Sequence, residues 1–211
     1  MCARFEQSLG PRECQLLAAQ LGITLAQPAS PGGTIRPSDE ATIVTSTLVM
    51  GATFGFSRPD KRLLINARSE TISQRPTFRR LLDRGRVLIP MNAFYESGPT
   101  GSFIYQGTTT PSLLLAAGLV DAVSRSFVIL TQDANDVVAQ VHGRMPVLMT
   151  IDNARSWLDW GALGHGTIDL DSQPETKATA ANTPARRRGQ TRTATDQLDE
   201  ALPRFEQGRL E

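Results

Sequence analysis

An α+β fold is what this chain predicts: one domain around a strongly curved, mostly antiparallel sheet or open barrel, with a few short helices. Three observations carry that reading. Between residues 42 and 131, runs rich in Val, Ile, Leu and Phe recur with Gly or polar breaks between them, the pattern of consecutive strands. Helical signals are short and interrupt or flank those strands rather than alternating with them. The 211 residues, 40% hydrophobic and 20% charged, suit one soluble globular domain with a tail.

Residues 11–21 predict the first helix, with Pro11 in its first turn and Gly22 as its stop. Cys14 lies inside it as a small packing residue. Residues 26–38 are turn-rich and predict a loop. Strands are predicted at 42–49, 62–66, 86–90, 92–96, 103–107, 112–120 and 126–131. A helix starting at Pro76 and closed by Gly85 interrupts the series; another spans 133–141, and a third starts at Asp152 after a strand at 145–150. Beyond that the chain turns to Ser, Thr, Ala, Pro, Gln and charge. The domain is therefore predicted over 1–170 and a polar, flexible tail over 171–211, with a short amphipathic helix near 194–202. Arg186, Arg187 and Arg188 lie in that tail as a solvated charge run, a weak handle for nucleic acid being the alternative.

Several function classes drop out. No stretch of about 18 apolar residues exists, so no membrane span is expected. Residues Met1 to Gln7 lack an apolar signal region, which predicts a cytoplasmic protein. The cysteines, Cys2 and Cys14, and the histidines, His142 and His165, show no C-x-x-C or H-x-x-x-H spacing, so no metal is expected. No phosphate-cradling or dinucleotide glycine motif occurs, so no cofactor is expected either. Without heptads or a long exposed apolar helix the chain reads as a monomer. Formal net charge is +1, yet residues 61–86 hold eight cations against two acids; such an uneven distribution points to a local anion-binding face.

Cys2 is the sharpest chemical feature. A residue this small in second position permits removal of Met1, leaving an N-terminal cysteine. Its α-amine, pKa about 7.7–8.0, and its thiol, about 8.5, are both partly nucleophilic at neutral pH. A 1,2-aminothiol can attack an acyl carbon through sulfur with the amine as base, or condense with an aldehyde through nitrogen and close on sulfur to a thiazolidine. Candidate partners sit in three segments. Asn66 and Arg68 end a predicted strand with an amide and a guanidinium. Glu96 closes an apolar strand, where burial raises a carboxyl pKa and suits it to hold or pass a proton. His142 lies on a turn before another strand and suits general acid–base work.

The ordered blocks Met-Cys-x-Arg-Phe, I-N-A-R-x-E-T, L-I-P-x-x-x-F-Y-E and H-x-R-M-P-V, spread over residues 1 to about 160, resemble the SRAP family, the SOS-response-associated peptidases or abasic-site processing proteins. The resemblance implies a DNA-repair protein that captures abasic sites in single-stranded DNA through a thiazolidine. It implies lyase-like Schiff-base chemistry and autoproteolytic loss of Met1. Cys2 would be the nucleophile, Asn66 would orient it, Glu96 would handle protons and assist Met1 removal, and His142 would assist sugar ring opening. Arg4 and Arg68 match phosphate-contacting positions; Arg144 is assigned the same task, and Arg75 joins them from the basic segment. The chain also departs from the family pattern. Ala3 replaces Gly, Phe54-Gly55-Phe56 and Ser97 stand where Trp is usual, and Thr34-Ile35-Arg36-Pro37 stands for Asn-x-x-Pro. The C-terminal valine-and-asparagine segment is not recognisable. Each missing stacking platform is worth about 1–3 kcal/mol per base.

Two other readings compete. An N-terminal nucleophile amidohydrolase would use Asn66 as an oxyanion donor but needs no histidine, whereas sugar ring opening benefits from His142. A non-catalytic single-strand binder of the same fold would show salt-sensitive affinity and no covalent product.

Overall fold

The structure is a computed structural model that describes residues 2–25, 32–99, 101–108, 112–163 and 168–175. Met1, His165, the arginines at 186–188 and the helix expected near 194–202 lie outside the described residues. Along the chain come β1 (Phe5–Gln7), α1 (Pro11–Leu21), β2 (Thr24–Leu25), β3 (Gly33–Ile35), β4 (Glu40–Val44), β5 (Leu48–Phe54), β6 (Phe56–Ser57), β7 (Leu63–Leu64) and β8 (Asn66–Arg68). A 3-10 helix (Ser69–Gln74) and α2 (Pro76–Arg79) lead to β9 (Arg86–Met91), β10 (Ala93–Gly98), β11 (Gly101–Gly107), β12 (Leu114–Asp121) and β13 (Ser126–Asp133). The described residues finish with α3 (Asp136–Ala139), β14 (Arg144–Pro146), β15 (Leu148–Met149), α4 (Ile151–Trp160) and β16 (Leu170–Pro174).

Strands β13, β12, β9, β4 and β5 follow one another by antiparallel pairing. A parallel pairing of β5 with β13, Thr53 opposite Ser126 and Phe54 opposite Phe127, joins the first strand to the last. The curved sheet, predicted as such or as an open barrel, thus closes on itself into a five-stranded barrel. A second sheet, ordered β16-β11-β10-β1-β3, lies beside it.

Alternation along the barrel strands explains why they read as continuous apolar runs. On β12, Leu114, Ala116 and Val120 join the core that also holds Phe5, Phe94 and Tyr105 of the second sheet. Leu115, Ala117 and Leu119 face the opposite way, into a core with Leu17 and Leu21 of α1 and Trp157 of α4. Both faces are buried, so neither takes polar residues. Trp157 is 1% exposed and donates its indole N–H to the Val87 carbonyl at 2.9 Å, which satisfies its polar handle inside the core. Helix α1 ends as expected at Gly22, whose φ of 63° is the left-handed conformation glycine adopts without strain.

The structure redraws several predicted boundaries. The run 42–49 is a hairpin, β4 and β5 joined at 45–47. The Thr45 hydroxyl closes the turn by accepting from Thr47 and Leu48 N–H and donating to the Leu48 carbonyl. The expected loop 26–38 contains β3, which adds to β1 through Phe5–Ile35 and Gln7–Gly33. The helices expected from Pro76 and over 133–141 shrink to four residues each. Residues 171–175, read as the start of the tail, carry most of β16, paired with β11 from Phe103–Pro174 to Gly107–Leu170. The ladder needs no apolar pattern: four of the five β16 residues are exposed.

Candidate active site

The N-terminal segment is carried into the interior by the second sheet. Phe5 pairs with Phe94 on β10, and the Tyr95 N–H donates to the Arg4 carbonyl at 3.0 Å. Residues 2–4 therefore run beside β10 towards Glu96. Cys2 is fully buried, its sulfur 3.8 Å from the Arg4 carbonyl. Asn66 opens β8, which lies parallel to β13 with Asn66 opposite Ile129. That pairing aims the amide inward, and its Nδ2 donates to the Cys2 carbonyl at 3.0 Å. The other amide atom, Oδ1, is buried and has no hydrogen-bond partner among the described residues.

Glu96 and His142 form the second half. Glu96 is 2% exposed on β10. His142 follows α3, its N–H donating to the Val138 carbonyl at 2.9 Å, and its Nδ1 stands 3.7 Å from Glu96 Oε2. Both the Arg144 amide and the Arg144 carbonyl lie 3.0 Å from the same Nδ1. A neutral ring accepts from the amide there; a protonated ring donates to the carbonyl or faces the carboxylate. Gly98 makes this approach possible, since a Cβ at that position would fall 2.2 Å from the Val141 carbonyl oxygen. Burial pushes the Glu96 carboxyl above its ordinary range, against the pull of the His142 charge. Burial first, and the Glu96 charge second, push the Cys2 thiol up. The sulfur rests as a neutral thiol beside a carboxyl whose proton affinity burial has raised.

A cavity of about 360 Å³ opens at this point, lined by Ala3, Arg4, Arg36, Tyr95, Glu96, Ser97 and His142. Of the predicted phosphate contacts, only Arg4 reaches it. The Arg4 guanidinium lies 3.8 Å from the centre of the Tyr95 ring and is paired with Glu175. Arg68 and Arg75 are exposed at either end of the 3-10 segment.

Arg144, expected to contact phosphate, is held by carboxylates in the structure. Its guanidinium is bonded to Glu70 Oε1 and Asp133 Oδ1, both at 2.6 Å, and to the Thr131 carbonyl. The hydrogen bonds from Arg144 hold the Glu70 carboxyl at a pKa of about 2. With two carboxylates already on it, Arg144 ties β13, β14 and the 3-10 segment together under His142. Sequence reasoning missed Arg36, Tyr95, Gly98 and Glu175. Arg36 was visible as a cation inside the Thr34–Pro37 departure; Glu175 gave no sequence signal. Among the described residues no cluster of three or more His, Cys, Asp or Glu could hold a metal ion, and both cysteines are free thiols.

The family described as SOS response associated peptidase (SRAP) matches residues 1–180. The abasic site processing protein YoaM of Bacillus subtilis is 33% identical over 107 residues, covering 46% of this chain and 47% of that protein. The abasic site processing protein YedK of Escherichia coli is 26% identical over 176 residues, 75% of this chain and 79% of that one. The match thus spans about half the length of the Bacillus relatives. A solved structure from Bacteroides thetaiotaomicron superposes with a TM-score of 0.70 at 18% identity, over 88% of this chain and 97% of the other. One from Bordetella bronchiseptica gives 0.66 at 19% identity, over 83% and 100%. At such identities these two similarities concern the fold.

Proposed function

The chain belongs to the SRAP family, its match covering residues 1–180, and on that premise we propose that it captures abasic sites in single-stranded DNA covalently through Cys2. The relatives named as abasic site processing proteins supply the substrate class. The observation that carries the reading is the meeting of Glu96 with His142 in the lining of a cleft that also holds Arg4 and Arg36, with Cys2, held by Asn66, buried beside them.

Hydrolysis of the Met1–Cys2 bond consumes one water and frees the α-amine, with Glu96 as the acid–base group at hand. Asn66 keeps its grip on the Cys2 carbonyl, and its open Oδ1 is placed to accept from the new amine. The ring-opened deoxyribose presents an aldehyde; His142 moves the proton between the sugar hydroxyl and the ring oxygen as it opens. Nitrogen reacts first because the sulfur is held as a neutral thiol. The amine adds to the aldehyde carbon, and Glu96 protonates the departing hydroxyl, so an imine forms and water leaves. The thiol then adds across C=N, forming the C–S bond while its proton passes through Glu96 to the imine nitrogen. The product is protein plus DNA minus one water. One N–H of the Asn66 amide is engaged by the Cys2 carbonyl, which suits Asn66 to orienting Cys2; the nearby His142, which an N-terminal nucleophile amidohydrolase does not need, favours aldehyde capture over amide hydrolysis as the main activity.

The test is a denaturing gel of protein incubated with an abasic single-stranded oligonucleotide. Wild type is expected to give a heat-stable shifted band and Cys2→Ala none. A Cys2→Ala protein that still crosslinks overturns the mechanism.

A further inference from the structure

Arg4 does not meet the cleft as an open cation. Its Nη1 lies 2.8 Å from Glu175 Oε1 and its Nη2 2.5 Å from Glu175 Oε2. These two parallel bonds are the fork that arginine offers equally to carboxylates and phosphates. Ser102 Oγ accepts a longer bond from Nη2 at 3.3 Å, and the Tyr95 ring supports the guanidinium from one face. Arg4 is thus oriented in advance, with a carboxylate where an anion binds.

A second cation shares the cleft. Arg36 lines it with Arg4, and after the Arg4 and Ser102 bonds its charge also helps to hold the Glu175 carboxyl below the usual carboxylate range. Its backbone is pinned in the turn Arg36–Asp39. The Asp39 N–H donates to the Arg36 carbonyl at 2.9 Å, and the Arg36 N–H donates to Asp39 Oδ2 at 2.9 Å. Pro37 occupies the second position and Ser38, with φ 77°, the third, the pattern of a type II turn. A non-glycine residue in that conformation stores strain, which is most often retained where a side chain must be presented.

The carboxylate itself hangs from the edge of the sheet. Glu175 follows β16, which among the described residues has β11 as its one strand neighbour, and its N–H donates to the Ser102 carbonyl at 2.8 Å. An exposed edge strand is among the parts of a fold that open most readily.

We propose that Arg4 and Arg36 form a phosphate subsite that Glu175 occupies in the free protein and that a DNA phosphodiester takes by exchange for this carboxylate. The identity of the incoming anion rests on the function proposed above; the exchange itself rests on the contacts of Glu175. It makes the internal acid a competitor of the strand. Without DNA the cleft presents one net positive charge from these three groups; with Glu175 displaced, both guanidiniums face the phosphate. Weakly held strands are discouraged, and a strand that also places an aldehyde beside Cys2 is retained.

The experiment measures binding of an undamaged single-stranded oligonucleotide by fluorescence anisotropy, with every variant in a Cys2→Ala background so that no covalent step intervenes. Glu175→Gln is expected to bind on the order of fivefold more tightly at low salt, while Asp171→Asn, neutralising another acid of β16, stays within about twofold. In an Arg4→Gln background the gain from Glu175→Gln should shrink below about twofold, because the competitor acts through that guanidinium. Arg36→Gln is expected to weaken binding about threefold and to lower the salt slope by about one; it decides the matter if Glu175→Gln does not fold. Unchanged or weaker binding by Glu175→Gln, or a gain that survives Arg4→Gln, overturns the exchange. Abasic-site crosslinking by the Cys2-containing protein is scored separately. A crosslink without any Glu175 effect removes the exchange and keeps the function; a Glu175 effect without a crosslink does the reverse.

Discussion

Cys2, Asn66 and Glu96 lie at 0%, 9% and 2% exposure on or beside paired strands, whereas Arg36 and Arg75 outside the strands and Arg68 at the end of β8 are exposed. The two sets, of which Glu96 and Arg36 line the cleft, meet different demands under the proposed function. The reacting side must keep a thiol neutral and a carboxyl ready to carry a proton, and both states come from removing water. In the proposed function the gripping side would neutralise phosphates that arrive with counterions, which exposed guanidiniums do at small desolvation cost. Arg4 belongs to both, since it is half-buried, supported by Tyr95 and paired with an internal acid. Arg144 is a second cation held by internal acids. Placed one residue beyond the His142–Gly143 turn, it is used as a brace between carboxylates.

Substitutions on the reacting side should slow chemistry with little change in DNA affinity, and those on the gripping side should do the opposite. The largest effect is expected from Glu96→Gln, which keeps the shape but cannot pass a proton; single-turnover crosslinking should fall about 100-fold or more. Gly98→Ala forces β10 and the Val141 carbonyl apart, withdrawing His142 from Glu96. Crosslinking should drop about tenfold while anisotropy with undamaged DNA stays unchanged. If Gly98→Ala instead reacts at the wild-type rate, the Glu96–His142 approach is not used.

Proton linkage separates two carboxylates of the same molecule. Glu70 titrates at about 2 rather than 4.5. The folded state therefore binds fewer protons than the unfolded state between those values, and stability is lost as pH falls through that window. Arg144→Gln should flatten the acid limb of a plot of chemical-denaturation midpoint against pH. Glu96 is raised by burial, so its effect has the opposite sign. Stability falls as pH climbs from the ordinary carboxylate range through the raised value, and Glu96→Gln should remove that loss. The smallest effects belong to the exposed rim: Arg68→Gln and Arg75→Gln should each weaken binding about two- to threefold and lower the salt slope by about one. Slower crosslinking at saturating DNA by either variant would break the division between the two sides.

What the sequence could reveal followed from where each signal is written. Helix α1 was legible because its stop is local, a glycine in the left-handed region. Strands β12 and β13 were legible because burial on both faces leaves unbroken apolar runs. The β4–β5 turn was not, because a threonine hydroxyl closes it without Gly, Pro or Asn. Neither was β16, a polar strand whose register, among the described residues, is set by β11. The buried half of the site could be read because Cys2, Asn66, Glu96 and His142 each sit in a recognisable block. The arginine partners could not, since Arg4 meets an acid 171 residues away and Arg144 one 74 residues away, and no local pattern encodes such pairs. Ring closure of the barrel rests on a two-residue parallel contact, too short to leave a pattern in either strand.

The central claim is aldehyde capture by a freed N-terminal cysteine, and intact mass spectrometry tests it most directly. The purified protein is measured alone and after incubation with an abasic single-stranded oligonucleotide. The account predicts a mass lacking Met1, and after incubation a heat-stable species equal to that protein plus the oligonucleotide minus one water. A protein that retains Met1, or one that has lost it and forms no adduct, would contradict it.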